Sequence, residues 1–106
     1  MNIEYDSGVI FTAARCGRCD IIRALISRGV DINSKDNAGR TAAHEAARNG
    51  HIEVLELLDS LGADLSVKSV RGVSVVHQAA FGGHIEFLKR LMVKNVDMSG
   101  KDDAGR

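Results

Sequence analysis

Two cysteines and four histidines are the side chains of this 106-residue chain whose types could do chemistry. Cys16 and Cys19 form a CxxC, a spacing used by redox-active dithiols and by one half of a zinc site. A closed zinc site takes four ligands, and the sequence has no second CxxC. The histidines stand singly along the chain, at His44, His51, His77 and His84. A redox or metal-binding enzyme is therefore the weakest of the functions that the sequence allows.

Other catalytic signatures are missing from the sequence. It has no GxSxG, no phosphate-binding P-loop and no paired-carboxylate arrangement. The glycines recur as punctuation between segments and form no phosphate-cradling loop. We therefore predict no enzymatic activity, no cofactor and no bound metal.

Charge and hydropathy narrow the possible partners and the location. Fourteen Lys and Arg balance fourteen Asp and Glu, so the chain lacks the broad basic field that holds nucleic acid or anionic lipid. No apolar run approaches the roughly 20 residues that cross a bilayer, and residues 1–7 do not resemble a secretion signal. The closely spaced cysteines give no disulfide framework. We predict a soluble cytoplasmic protein that binds neither nucleic acid nor membrane.

An internal repeat of 33 residues positions these side chains. Residues 36–68 align with residues 69–101, which places Gly39 over Gly72 and His44 over His77. The same step backwards gives a more divergent copy at about residues 3–35, and residues 102–106 begin a fourth, truncated copy. We expect a single domain over residues 1–106.

Each repeat is predicted to hold two helices. Thr41 and Ser74 are typical N-cap residues, so first helices are expected to begin near them. Gly50 and Gly83 stand where the chain must reverse, a place that favours glycine in a left-handed conformation. Apolar residues then recur at steps of three and four and predict the buried stripe of a second helix, with the members Val54, Leu55, Leu58, Leu61, Phe87, Leu88 and Leu91.

Small residues are expected where neighbouring repeats meet. Paired alanines at 46, 47, 79 and 80 would let two helices approach closely. The same register places Cys19 with Ile52 and Ile85, which predicts a small buried apolar side chain. It places Cys16 with Asn49 and Gly82, in a turn that faces solvent.

These features resemble the ankyrin repeat, a β-turn followed by two antiparallel helices with the signature TPLHxA. The signature stands here as TAAHEA at residues 41–46 and SVVHQA at residues 74–79, in both cases without proline. The resemblance implies an all-α ankyrin-repeat solenoid of about three stacked helix-turn-helix repeats with short β-turn loops. Phe11 replaces the signature histidine in the first copy and Asp6 replaces the turn glycine, so an irregular or absent first hairpin is expected.

The resemblance also assigns roles to single residues. It implies that His44 and His77 hydrogen-bond the backbone and brace the turn of the adjoining repeat. It further suggests Asn33, in the stretch VDIN, as a substrate of an oxygen-dependent asparaginyl hydroxylase. A loop asparagine that makes local backbone hydrogen bonds is the favoured alternative for Asn33.

A concave face formed by the turn tips and the first helices is the expected binding surface. Phe81 shares its repeat position with Arg15 and Arg48, so this position tolerates water and the aromatic ring is not needed for the core. Apolar side chains beside a guanidinium are typical of interface hot spots. The predicted partner-binding residues are Arg40, Glu45, Arg48, Asn49, Val70, Arg71, Val73, Gln78 and Phe81.

The second helix of the third copy raises a separate expectation. Phe87, Leu88, Leu91 and Met92 are apolar, although an end repeat should show a polar outer surface. Either the chain is a fragment of a longer array or this end self-associates. We predict a protein–protein interaction module, with a structural spacer or a fragment of a larger ankyrin-repeat protein as the alternative.

Overall fold

The computed structural model describes residues 8–94, and this part of the chain contains helices and connecting turns but no strand. Six helices follow one another in pairs. They are α1 (Gly8–Arg15), α2 (Cys19–Ser27), α3 (Ala42–Asn49), α4 (Ile52–Ser60), α5 (Val75–Phe81) and α6 (Ile85–Val93). The second helices begin at Cys19, Ile52 and Ile85, each 33 residues after the last. The predicted all-α solenoid of three helix-turn-helix units is confirmed.

The helices form two rows. An inner row is formed by α1, α3 and α5, and an outer row by α2, α4 and α6. The inner helices contact each other more extensively than the outer ones because small residues line their faces: Ala14, Ala46, Ala47 and Ala79 are fully buried. Closer packing along one row than along the other curves the stack toward the inner helices.

Helix starts and reversals lie where the sequence predicts them. Thr41 and Ser74 are the N-cap residues of α3 and α5, in extended backbone conformations. The Ser74 hydroxyl accepts a hydrogen bond from the backbone N–H of His77 at 3.1 Å. Gly50 and Gly83 have φ of 73° and 70°, the left-handed conformation that favours glycine.

The core runs through all three helix pairs, and two predictions about it are wrong. Val54, Leu55 and Leu58 are fully buried, but Leu61 is 40% exposed because it lies beyond the last residue of α4. Ala80 is exposed although its counterpart Ala47 is buried. The reason is that α5 covers Ala47, while no further described helix covers Ala80.

The apolar end of the stack also differs from expectation. Phe87 and Leu91 are fully buried and belong to the core, and Leu88 is partly buried against it. The exposed apolar residues of α6 lie on its other side and are Ile85, Met92 and Val93. The prediction that Phe87 and Leu91 need an external cover is therefore wrong, because α6 turns that stripe toward its own stack.

Lys94, which replaces Leu61 in the repeat, joins the ends of the outer helices. Its Nζ donates to Glu56 Oε2 and to Asp59 Oδ2, both at 2.9 Å. The hydrogen bond to Glu56, and next the one to Asp59, hold the pKa of Lys94 above its usual range. Lys94 thus links α6 to α4 through two charged hydrogen bonds. No helix within residues 8–94 is long and apolar enough to span a membrane.

Candidate functional site

Two turn tips, at residues 36–40 and 69–73, are built by side chains that accept backbone hydrogen bonds. Asp36 Oδ1 accepts from the N–H groups of Ala38 and Arg40, both at 2.9 Å, and Arg40 Nε reaches Asp36 Oδ2 at 3.1 Å. Partial burial favours a raised pKa for Asp36, but these backbone donors and the Arg40 charge outweigh it and lower the pKa. The carboxylate is therefore ionised, and its hydrogen bonds are made to residues of its own tip.

The next tip uses a hydroxyl in place of the carboxylate. Ser69 Oγ accepts from the N–H groups of Val73 at 3.2 Å and Arg71 at 3.3 Å. The two tips are joined by a hydrogen bond of 2.8 Å from the Val70 N–H to the Ala38 carbonyl. This bond fixes the spacing between adjacent tips.

A hollow of about 260 Å³ opens between these two tips and the inner helices. It unites five of the residues predicted to bind a partner and adds Ala38 and Ser69. Its lining residues are Ala38, Arg40, Ser69, Val70, Arg71, Val73 and Gln78. In the described part of the chain, this is where the predicted surface forms a concavity.

The remaining predicted residues lie along the inner helices. Arg48 and Asn49 are exposed at the end of α3, and the Asn49 side chain donates to the Glu45 carbonyl at 3.0 Å. Phe81 is 74% exposed, with its ring 6.3 Å from that of His77. Glu45 and Gln78 are instead buried, at 8% and 9% exposure. These two side chains lie beneath the surface and leave little area for a partner to contact.

Phe81 does not line the hollow but lies on the same helix as one of its lining residues. Gln78 lines the hollow, and Phe81 follows it by three residues on α5, about one helical turn away. Val70, which lines the hollow, is 73% exposed. Two large apolar side chains of the predicted surface thus stand open to solvent, one of them in the lining of the hollow.

His44 braces the adjoining tip. Its Nδ1 accepts from the Thr41 backbone N–H at 3.1 Å, which requires the neutral tautomer with the proton on Nε2. That Nε2–H donates to the Val73 carbonyl at 2.9 Å, the bond that the resemblance implied. His77 repeats the contact with its own N-cap, Ser74, at 3.1 Å. The residue that corresponds to Val73 for His77 is Arg106, which lies outside the described residues.

His51 and His84 make a second set of bonds between units, which the sequence analysis missed. His51 Nε2 lies 2.7 Å from the Arg15 carbonyl, and His84 Nε2 lies 2.9 Å from the Arg48 carbonyl. Each imidazole therefore ties the start of an outer helix to the end of the inner helix in the preceding repeat. The repeated Gly-His pair at 50–51 and 83–84 was the available signal.

The remaining candidate side chains also have structural surroundings. Cys16 and Cys19 are free thiols, Cys16 exposed and Cys19 partly buried against the core. The Asn33 Oδ1 accepts from the Asp64 N–H at 2.8 Å, so this side chain bonds to the backbone of the following unit. No group of three or more His, Cys, Asp or Glu within residues 8–94 could hold a metal ion.

A second concavity, which the sequence did not predict, lies on the outer side between α2, α4 and α6. It measures about 540 Å³ and is lined by Cys19, Arg23, Ile52, Glu53, Glu56, Leu57, Ser60 and Arg90. Charged side chains of this groove already face each other, since Arg90 Nη1 lies 4.0 Å from Glu56 Oε1. Glu56 is further engaged by Lys94. Charges of both signs therefore line this groove.

Comparison with known proteins identifies the repeat. The family model for ankyrin repeats matches residues 10–58, which cover α1 to α3 and most of α4. No curated protein matches the chain. Ankyrin repeats are generally protein–protein interaction modules and are typically not enzymes. Because the same helix pair continues through α6 in the register of the matched segment, the described part of the chain is an ankyrin-repeat solenoid.

Proposed function

We propose that this protein binds a segment of another protein across the concave face of its repeat stack. The observation that carries the proposal is the hollow between the two turn tips, with Val70 in its lining at 73% exposure and Phe81 farther along α5 at 74% exposure. Large exposed apolar side chains around a concavity are what a partner would cover, because their burial removes apolar surface from water.

The rigidity of this face supports the same function. The Val70 to Ala38 bond and the His44 to Val73 bond hold the tips in place before any partner arrives. A preformed surface loses little conformational freedom on association, which favours affinity. Both cysteines are free thiols, which fits a reducing cytoplasm as the setting for the partner.

Phe81→Asp tests the proposal. Loss of an aromatic anchor costs about 2 kcal/mol or more, equivalent to about thirtyfold in affinity. We expect Phe81→Asp to abolish recovery of specific partners from cell lysate in a pull-down followed by mass spectrometry, with unchanged helical circular dichroism.

Ile85→Asp is the matched control. Ile85 is also a large apolar side chain, 65% exposed, but it lies at the start of α6 in the outer row, where an acidic residue suits the helix dipole. We expect this variant to retain the partners. Equal recovery by Phe81→Asp would contradict the assignment of this site, and recovery of no specific partner by the unaltered chain would favour the structural spacer instead.

A further inference from the structure

The exposed charge of the concave face is positive, and this gives the proposed partner a chemistry. Arg48 and Arg71 are exposed, and neither side chain meets a carboxylate within residues 8–94. Arg15, one repeat before Arg48, is also exposed, and its side chain donates to the Thr12 hydroxyl at 3.2 Å. Guanidinium groups in this state are available for carboxylates, which they bind in a fork geometry.

Acidic side chains on the same face do not cancel this charge. Asp36 is held by the Arg40 guanidinium and by two backbone N–H groups of its own tip. Glu45 is only 8% exposed. Among the described residues, exposed carboxylates lie on the outer helices, at Asp20, Glu53, Asp59 and Glu86, and in the loops that follow those helices, at Asp31 and Asp64. Within residues 8–94, the exposed charge of the inner face is therefore basic.

The size of the hollow indicates the shape of the ligand. At about 260 Å³ it is smaller than the roughly 300–1,000 Å³ of typical small-molecule pockets. Phe81 lies one helical turn beyond Gln78, which lines the hollow. A peptide laid across the tips would place one large side chain in the hollow and its neighbours beside the arginines.

We propose that the concave face selects an extended acidic segment that carries a bulky apolar side chain. The apolar side chain packs between Val70 and Phe81, and carboxylates on either side of it pair with Arg48 and Arg71. This inference rests on the proposed function and adds the chemistry of the partner to it. A nucleic acid would meet the same arginines, but the exposed aliphatic rim and the balanced charge of the chain favour a peptide.

Selection from a random twelve-residue peptide library displayed on phage, against the full chain, tests the inference. We expect the enriched peptides to combine Asp or Glu with Leu, Ile, Phe or Trp. A synthetic peptide from the selection should bind at least tenfold more weakly to the double variant Arg48→Glu, Arg71→Glu in fluorescence anisotropy. Its affinity for the unaltered chain should also fall as salt is raised.

Arg23→Glu with Lys89→Glu is the matched control, because it makes the same change of charge at exposed positions of the outer helices. The affinity of this variant should stay within about twofold of the unaltered chain. Selection against the Arg48→Glu, Arg71→Glu variant should instead enrich Lys and Arg peptides.

The outcomes separate the two proposals. Neutral or basic peptides whose binding is lost in Phe81→Asp would overturn the acidic preference and leave the concave binding face intact. Both proposals would be overturned by peptides that bind Phe81→Asp, the double arginine variant and the unaltered chain equally tightly. A selection with no enrichment over uncoated beads would also overturn both proposals. Tighter binding of a labelled twelve-residue oligothymidylate than of any peptide would overturn the assignment of a peptide ligand.

Discussion

His44 couples the protonation state of one side chain to the packing between two repeats. Its Nδ1 accepts from Thr41 and its Nε2 donates to Val73, so both ring nitrogens are used by the neutral form. The Val73 carbonyl also accepts from the Ser69 N–H at 2.9 Å, which places His44 at the base of the tip hairpin. A proton on Nδ1 would turn an acceptor into a donor facing another donor.

We predict that acidification destabilises the protein through His44. Burial, aided by the Arg40 charge, lowers the pKa of His44 below the usual value of about 6.5, despite opposing effects of the Val73 bond and Asp36. Because the unfolded chain takes up the proton first, stability present above pH ~6.5 is lost as the pH falls toward the folded-state pKa. Urea unfolding at several pH values between 7.5 and 5 measures this loss.

His44→Gln should be less stable by about 1–2 kcal/mol at pH 7.5, since backbone groups lose their imidazole partner. It should also lose less stability on acidification than the unaltered chain. His77→Gln is the matched control, because His77 occupies the same third position of its helix and bonds to its own N-cap residue, but makes no inter-repeat bond within residues 8–94. An unchanged pH dependence in His44→Gln would contradict the assignment.

At the residue scale, residue spacing predicts contacts that are local, whereas the bond from His44 to the adjoining repeat was expected only because the family resemblance implied it. Thr41 and His44 are three residues apart, so the helix start is readable from the signature. The bond from His84 to the Arg48 carbonyl spans 36 residues and exists only because α5 lies against α3. Lys94 aligns with Leu61 in the repeat, but its two carboxylate partners come from another helix, which residue spacing does not show.

At the element scale, the reversal between the inner and outer helix of a repeat depends on glycine for two separable reasons. Gly50 and Gly62 both have positive φ, at 73° and 85°. A Cβ at Gly50 would lie 2.6 Å from His84 Nδ1, whereas a Cβ at Gly62 would meet nothing within 4 Å. Gly50 therefore serves both the backbone turn and the close approach of the next repeat.

We predict that Gly50→Ala is clearly more destabilising than Gly62→Ala. The left-handed backbone alone costs about 1–2 kcal/mol in either variant. Gly50→Ala must in addition displace the His84 ring from its bond with the Arg48 carbonyl, which should add about 1 kcal/mol. Urea unfolding of both variants measures the difference, and equal losses would show that the crowding at His84 is relieved without cost.

Helix boundaries were predicted well, but which apolar residues of the outer helices are buried was predicted less well. Caps and glycines are set by backbone chemistry within a few residues, which is why Thr41, Ser74, Gly50 and Gly83 lie as expected. Leu61 falls just after α4 and is exposed, although its spacing continues the stripe. The spacing of apolar residues does not fix the end of a helix to within one residue.

At the scale of the whole molecule, the unequal packing of the two rows of helices shapes the proposed binding face. Fully buried alanines let α3 approach α1 and α5, while larger side chains such as Leu55 and Leu58 fill the space under the outer row. The curvature that results gathers the tips and the ends of the inner helices on one side. Sequence predicted which residues share that face. Whether each is open or buried, as with Phe81 and Glu45, depends on the neighbouring helices.

The exposed stripe of α6 decides whether the stack self-associates. Ile85 and Met92 are seven residues apart on one side of the helix, and Val93 lies beside Met92, with exposures of 65%, 58% and 80%. Phe87 and Leu91 are buried and contribute nothing to this surface. Three side chains cover much less than the roughly 800 Å² per partner of a stable interface. We therefore predict a monomer at about 50 μM in sedimentation velocity. Met92→Asp should sediment identically, and a dimer that Met92→Asp dissociates would instead establish this stripe as an interface.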